Sequence, residues 1–183
     1  MSRGVVAIVG RPNVGKSSIF NRLVAEKNAI TDDQSGITRD RLYGKCEWLD
    51  QEFSVIDTGG IEIKDVPFMD EIIAQAQLAM DEADVIVFVV DGRVGVTNQD
   101  QDVMNILHRT KKPVIVAANK IDAIWVDEED PVEKLRKEFE PQGIKVYPIS
   151  AVSGEGLNEL LWAVSNLLKE VPQEKIVFEQ EFF

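Results

Sequence analysis

The chain of 183 residues is long enough for one domain with a sizeable core, and its composition of 44% hydrophobic and 28% charged residues is typical of globular proteins. It has no apolar stretch of membrane-spanning length, no signal peptide and one cysteine, Cys46, so we predict a cytoplasmic protein with no internal disulfide and no membrane partner. The net charge of −12 argues against DNA or other broad nucleic-acid binding, although residues 1–45 contain eight basic against four acidic side chains and could hold an anion.

The first predicted strand and helix flank a loop with the phosphate-binding pattern. Five apolar residues lead directly into residues 10–17, which read G-x-x-x-x-G-K-S, and helical spacing follows. Gly10 and Gly15 allow successive backbone N–H groups to point into one concavity at a helix N-terminus. Lys16 can reach the β- and γ-phosphates, and the Ser17 hydroxyl can ligate Mg²⁺. The sequence therefore predicts a nucleoside triphosphate site. We also assign to this site Asn13, Val14 and Ser18.

The connection after the first predicted helix is a candidate for a loop that covers the phosphates. Residues 26–42 are polar, rich in Asp, Gly and Thr, and long for a connection. Thr38 lies in this segment and could supply a second hydroxyl to Mg²⁺, although a threonine in a polar loop ordinarily has no such role. For Arg39 and Arg41 the alternatives stay open: contact with phosphate, contact with a partner or RNA, or plain solvation.

Two short strand patterns, residues 43–48 and 53–56, predict a hairpin whose second strand ends in the sequence D-T-G-G. The Asp57 carboxylate at this strand end can hold Mg²⁺ through water. The Gly60 N–H can approach the γ-phosphate because no Cβ intervenes. A D-x-x-G sequence alone usually indicates a turn, but after a phosphate loop it indicates a nucleotide site.

The remaining elements alternate between helices and buried strands. A helix is predicted with one face formed by Ile72, Ile73, Ala76, Met80 and Ala83. Further strands are predicted at residues 85–90, 113–118 and 144–149, and further helices around 103–107, between 130 and 143, and at 157–168. This order predicts an α/β fold with a mostly parallel six-stranded sheet, one antiparallel strand and helices on both faces. Ligands of such sheets bind at the carboxyl ends of the strands, where four of the loops should meet.

A second motif, N-K-I-D, follows the fifth predicted strand and is a candidate for reading a purine base. The Asp122 carboxylate can accept hydrogen bonds from N1–H and the 2-amino group of guanine, whereas adenine has neither donor. The stem of Lys120 can lie along the purine face, and Asn119 can brace the loops. Ser150 and Ala151, after the last strand, could add a backbone N–H to guanine O6, although this pair alone is too short to be specific.

These motifs, in this order, resemble those of the translation-factor class of Ras-like GTPases over residues 4 to about 170. The segments at residues 10–17, 36–40, 57–61 and 119–122 are similar to those of the bacterial Era/TrmE/EngA group. The segments at residues 79–86 and 90–97 resemble the first GTPase domain of the EngA (Der) family. The resemblance implies a P-loop NTPase G domain that binds GTP or GDP with Mg²⁺. It also implies that the full-length protein acts in assembly of the large ribosomal subunit, with that subunit or its RNA as partner.

Members of this family have two tandem G domains followed by a KH-like domain. The resemblance therefore divides the chain into a G domain, residues 1–170, and a tail, residues 171–183, which begins the linker to a second domain.

Ras-like enzymes carry a glutamine directly after D-x-x-G, where this chain has Ile61, so hydrolysis needs another source of charge stabilisation. Asn13 offers a carbonyl oxygen beside the phosphates, and in this group an asparagine at that position accompanies potassium-stimulated hydrolysis. The resemblance thus implies a GTPase that is slow in isolation and that binds K⁺ with the help of Asn13. The candidate catalytic residues are Asn13, Lys16, Thr38 and Gly60.

The residues leave more than one function open. The first is a GTP-hydrolysing switch whose phosphate-facing loops, residues 28–42 and 58–68, respond to hydrolysis. The second is a nucleotide-gated binding module with negligible turnover. A variant of the first acts on another RNA target in the manner of Era or TrmE. An ATP-dependent kinase or ATPase shares the phosphate loop, but the N-K-I-D motif argues against it.

Overall fold

The computed structural model describes residues 4–24, 43–49, 51–60, 68–124 and 130–170. The strands are β1 (Val5–Val9), β2 (Tyr43–Trp48), β3 (Gln51–Asp57), β4 (Val85–Asp91), β5 (Val114–Asn119) and β6 (Val146–Pro148). The α-helices are α1 (Lys16–Val24), α2 (Phe68–Glu82), α3 (Asn98–Leu107), α4 (Pro131–Phe139) and α5 (Leu157–Glu170). Short 3₁₀ turns lie at Thr58–Gly60, Ile121–Ala123 and Glu140–Gln142.

Within these described ranges, six strands form one sheet in the order β2-β3-β1-β4-β5-β6. β2 pairs antiparallel with β3, and every other pair of neighbours is parallel. The sheet is buried between two clusters of side chains, one under α1 and α5 and the other under α2, α3 and α4. The central strand β4 is therefore buried along its whole length, which explains its continuous apolar sequence. The predicted mixed α/β fold is confirmed.

The prediction for the buried face of α2 is wrong at one position. Ile72 and Ala76 are buried against the sheet, whereas Ile73 is 45% exposed. Successive residues of an α-helix are about 100° apart, so Ile73 lies to one side of the row formed by Ile72, Ala76 and Ala79 and faces outward. The buried row continues through Ala79, which was not predicted, and through the predicted Ala83 directly after the helix, and both are small enough to let the helix approach the strands closely.

β3 and β6 begin two residues away from their predicted starts, whereas β4 and β5 differ from the predicted bounds by one residue. β3 begins at Gln51 because its hairpin partner β2 pairs along its full length, with Trp48 opposite Gln51. β6 is shorter than predicted, with three residues paired to β5, the last being Ala118 with Pro148, although the Ile149 N–H still donates to the Ala118 carbonyl over 2.8 Å.

Several residues singled out in the sequence lie outside the described ranges: Thr38, Arg39, Arg41, Ile61 and the tail at residues 171–183. Across the described ranges, no helix combines the length and the apolar character needed to cross a membrane.

Candidate nucleotide-binding site

The carboxyl ends of β1, β3, β5 and β6 bring the predicted motifs to one edge of the sheet. The side chain of Asn119, at the end of β5, joins two of the loops directly. Its Nδ2 donates to the Val14 carbonyl over 2.9 Å, and its Oδ1 accepts from the Ala151 N–H over 3.0 Å. Asn119 is 3% exposed, so both bonds are sheltered from water. The loop after β1 and the loop after β6 are thereby held at a fixed separation.

Close backbone contacts shape the phosphate loop. Asn13 and Gly15 have positive φ values of 67° and 97°, which turn the chain tightly around a concavity. A Cβ on Gly10 would lie 2.5 Å from the Val89 carbonyl oxygen, and one on Gly15 would lie 2.2 Å from Nδ2 of Asn119. Both positions therefore exclude a side chain. The predicted residue Ser18 is exposed in the first turn of α1.

Lys16 is buried at the start of α1, with 7% of its surface exposed. Its Nζ donates to the carbonyl of Gly10 and, over 3.0 Å, to the carbonyl of Arg11. Burial lowers the pKa of Lys16 to about 8, although the Asp57 carboxylate acts in the opposite direction. An ammonium held in this way has two neutral carbonyls as partners. A phosphate oxygen, being charged, would be a stronger acceptor for it.

Ser17 and Asp57 supply oxygen atoms on the same side of the phosphate loop. Ser17 Oγ donates to Asp57 Oδ2 over 3.2 Å, and Asp57 Oδ1 accepts from the Gly59 N–H over 3.0 Å. Hydroxyl and carboxylate oxygens are the ligands that Mg²⁺ prefers, so this pair fits the ion. The turn Thr58–Gly60 follows directly and contains the predicted Gly60. The third predicted ligand, Thr38, lies outside the described residues.

The loops after β5 and β6 place a carboxylate and backbone groups together. Asp122 is exposed, and its Oδ1 accepts from the Ser150 hydroxyl over 2.8 Å. This bond holds one carboxylate oxygen in place and leaves the other available. The sequence predicted a backbone N–H of the Ser150–Ala151 pair for guanine O6, and of these the Ala151 N–H donates to Asn119 in this structure, so a guanine that uses it would have to share that donor or replace its acceptor.

Sequence analysis did not identify Asp91, which organises the surroundings of Lys120. Lys120 has a φ of 69°, and its Nζ lies 2.6 Å from the Asn13 carbonyl and 3.4 Å from Asp91 Oδ2. Arg93 donates to Asp91 through its backbone N–H and two guanidinium nitrogens over 2.8 to 3.0 Å. Burial acts to raise the pKa of Asp91, but the hydrogen bonds from Arg93 and the charge of Lys120 outweigh it and lower the pKa to about 2. The sequence did contain a signal for Asp91, because this residue ends β4, whose carboxyl end lies at the same edge of the sheet as the candidate site.

A second unpredicted contact links the phosphate loop to α3. Arg11 Nε lies 3.4 Å from Asp100 Oδ1, and Asp100 is fully buried. Asp100 also closes the helix cap with Thr97, which fixes its other oxygen. Burial raises the pKa of Asp100. The spacing T-x-x-D indicates the cap, but no sequence pattern indicates the arginine.

A cavity of about 540 Å³ lies away from this edge and contains none of the predicted site residues. It is lined from the end of α3, the start of β5 and the end of α5, including His108, Pro113 and Asn166. The cavity lies beside the start of β5, whereas the site lies at the carboxyl end of that strand, so the cavity is not part of the candidate site.

The sequence matches the family described as "50S ribosome-binding GTPase" over residues 5–120. GTPase Der of Lactococcus lactis subsp. lactis is 51% identical over 177 residues, which are 95% of this chain and 39% of the relative. GTPase Der of Halalkalibacterium halodurans is 56% identical over 162 residues, which are 88% of this chain and 36% of the relative. This chain therefore spans less than two fifths of the length of these relatives.

Solved structures with the same fold include G domains. The FeoB G-domain from Methanococcus jannaschii is 30% identical with a TM-score of 0.65, covering 93% of this chain and 100% of that chain. Era of Aquifex aeolicus bound to GDP·AlF4⁻ is 30% identical with a TM-score of 0.68, covering 100% of this chain and 61% of that chain. Era in complex with MgGDPNP and nucleotides of 16S ribosomal RNA is 32% identical with a TM-score of 0.68, covering 98% of this chain and 60% of that chain.

The family match covers well over half of the chain, and the structural likeness to Era confirms the predicted P-loop GTPase fold. The chain therefore belongs to the family of 50S ribosome-binding GTPases, and its similarity to GTPase Der confirms the resemblance to a single G domain of the EngA (Der) kind.

Proposed function

We propose that this G domain binds GTP and GDP together with Mg²⁺ and hydrolyses GTP. The observation that carries the proposal is the bridge made by Asn119, which joins the phosphate loop to the loop of Ala151 within one site. A base held at the second loop would place its phosphates at the first. Membership of a GTPase family and the likeness to an Era structure with bound GDP·AlF4⁻ support the same conclusion.

Different residues of the chain would bind the phosphate end and the base end of the nucleotide. Lys16 and the N–H groups at the start of α1 would bind the β- and γ-phosphates. Ser17 and Asp57 would hold Mg²⁺, which when bound neutralises part of the phosphate charge. Asp122, with one oxygen fixed by Ser150, would accept the two donors on the edge of guanine.

We further propose that K⁺ takes part in hydrolysis with the help of Asn13. The position after D-x-x-G is Ile61, which has no polar atom to orient water. Asn13 is exposed in the phosphate loop, and its backbone is fixed by the bond from Lys120 to its carbonyl. Its side-chain oxygen could then share a cation with phosphate oxygens. The expected consequence is slow hydrolysis that depends on the monovalent cation.

The proposed biological role belongs to the full-length protein. The family description names the 50S ribosome, whereas the Era structure contains 16S ribosomal RNA. The higher identity to GTPase Der than to Era favours the large subunit or its RNA as partner. We propose a G domain over residues 1–170, a linker beginning at residues 171–183, and a cytoplasmic location.

Base specificity is the sharpest test of the proposed function. In the Asp122→Asn variant one acceptor becomes an NH₂ donor, which suits the C2 carbonyl of xanthine in place of the 2-amino group of guanine. We expect the wild type to prefer GDP over ADP and xanthosine diphosphate, and the variant to prefer xanthosine diphosphate, in competition titrations against a fluorescent nucleotide.

A matched control is Asp81→Asn, because Asp81 is an exposed carboxylate on α2 away from the site. It should leave the preference unchanged. Retained preference for GDP in Asp122→Asn would remove Asp122 as the base reader. Phosphate release from GTP by the wild type separates a hydrolase from a binding module, which would bind GTP without turnover.

A further inference from the structure

The last turn of α1 contacts the loop that follows β6. Arg22 Nε donates to the Ala151 carbonyl over 2.7 Å, and a terminal guanidinium nitrogen of Arg22 donates to the Val152 carbonyl over 2.5 Å. These residues are about 130 positions apart in the chain. The planar guanidinium suits this arrangement because it presents several N–H donors in a fixed geometry. Arg22 therefore clamps two consecutive peptide carbonyls.

The contact of Arg22 joins the loop to another element, whereas several other hydrogen bonds join residues within the loop. Ser150 N–H donates to the Glu155 carbonyl, Gly154 N–H to the Ser150 carbonyl, and Ser153 N–H to the Ser150 hydroxyl. These bonds close the loop on itself but do not position it relative to the rest of the site. Arg22 reaches it from another element, as Asn119 does.

Arg22 and Asn119 act on opposite sides of Ala151. Asn119 binds the N–H of the peptide group that precedes the Ala151 side chain, and Arg22 binds the carbonyl of the group that follows it. Fixing both peptide groups fixes the backbone orientation at this residue. The orientation of the Ala151 N–H is therefore set by two side chains from other elements.

The position of Arg22 on α1 also connects the two ends of the site. Lys16 begins the helix, and Arg22 follows six residues later, which corresponds to a rise of about 9 Å along the axis. Lys16 lies in the phosphate loop, and Arg22 holds the loop assigned to the base. A single rigid helix thus relates the two ends, and its Arg22 side chain is exposed rather than part of the core.

We infer that Arg22 is a positioning residue for guanine recognition, which holds the Ala151–Val152 backbone in the place where it meets the O6 edge of the base. The inference rests on the proposed function, since it needs a guanine nucleotide in this site. Arg22 does not touch the nucleotide itself. Its loss should therefore weaken the contact at O6 and leave the phosphate contacts as they are.

The experiment measures the affinity of two ligands for the wild type, Arg22→Met and Arg22→Lys. The ligands are GDP and 2-aminopurine riboside 5′-diphosphate, which keeps the 2-amino group and both phosphates but lacks O6 and, with it, the N1–H; since this second loss is the same for every variant, the effect of Arg22 is read from the change between variants for each ligand. Competition against a fluorescent guanine nucleotide gives both dissociation constants. We expect Arg22→Met to weaken GDP binding about tenfold, as for the loss of a charge-assisted hydrogen bond, and to change the analogue by less than about twofold. Arg22→Lys should weaken GDP binding by a smaller factor, because one ammonium can serve the carbonyls less well than a fork of donors.

The control is Arg109→Met, the same substitution at an exposed arginine beyond the end of α3. It should change neither constant. Equal weakening of both ligands in Arg22→Met and Arg22→Lys would overturn the inference, because it would indicate a general effect on the fold. Unchanged GDP binding in both variants would also overturn it. A wild type that does not bind GDP would instead contradict the proposed function, so the two failures are distinguishable.

Discussion

Replacing Asn119 by alanine removes the side chain that joins two loops of the site. Val14 would lose the donor to its carbonyl, and the Ala151 N–H would lose its acceptor, at distances of 2.9 and 3.0 Å in the structure. Asn119 is 3% exposed, and its Nδ2 occupies the space directly beside Gly15. The variant therefore leaves two backbone groups unpaired in a place that water reaches poorly.

The size of the effect follows from those two groups. A buried polar group left without a partner costs about 1–3 kcal/mol, so the sum is about 2–6 kcal/mol. The site opens at one edge of the sheet, and water that enters the space left by the amide would satisfy part of the loss. We expect a loss of about 3 kcal/mol in the free energy of unfolding. We also expect weaker nucleotide binding, since the loops would no longer be held at their present separation.

Equilibrium urea unfolding with and without GDP measures both consequences. The GDP-dependent part of the unfolding free energy reports the dissociation constant, because a ligand of the folded state stabilises by RT ln(1 + [L]/Kd). Asn119→Asp is an informative second variant, since it keeps an acceptor for Ala151 but turns an oxygen toward the Val14 carbonyl, and it should also be destabilised. The control is Asn158→Ala, an exposed asparagine on α5. A loss below 1 kcal/mol in Asn119→Ala with an unchanged GDP contribution would refute the reasoning.

Two further predictions concern the phosphate loop. Burial lowers the pKa of Lys16 to about 8, so between pH 8 and its ordinary value of 10.5 the unfolded chain binds more protons, and stability should rise with pH in that window. The difference in unfolding free energy between the nucleotide-free wild type and Lys16→Met should change by about 2 kcal/mol in favour of the wild type from pH 7 to pH 10, and a constant difference would contradict the assigned pKa. Single-turnover GTP hydrolysis should be faster in K⁺ than in Na⁺ at matched ionic strength, and Asn13→Ala should lose the increase while keeping GTP affinity. Equal rates in the two salts would remove K⁺ from the mechanism.

Much of the fold was predictable because burial on both faces leaves a strong signal in the sequence. β4 has six consecutive apolar residues before Asp91, and this short, mostly β-branched run indicates a strand inside a covered sheet. The buried face of α2 was predicted only in part, since Ile72 and Ile73 are equally apolar and periodicity alone does not indicate which of them is buried. Packing of α2 against the sheet buries Ile72 and leaves Ile73 exposed.

The candidate site was predictable where its residues belong to local motifs and unpredictable where they act across the chain. Glycine at positions 10 and 15, and the motif around Asn119, can be recognised because backbone shape and neighbouring residues define them. Arg11 and Asp100 are 89 positions apart, and their ion pair depends on where α3 begins relative to the phosphate loop. No local pattern contains that information.

The side chains that join the loops share one property, which explains both their function and why their partners cannot be identified from the sequence. Asn119, Arg22 and Lys120 each bind backbone groups of another loop: Val14 and Ala151, Ala151 and Val152, and Asn13. A backbone partner places no demand on the identity of the residue that carries it, so no complementary residue marks the contact in the sequence. The same bonds hold the loops for the folded protein and for a nucleotide. Loss of one of them should therefore lower stability and ligand-induced stabilisation together, whereas a cavity in the core far from this edge should lower stability alone.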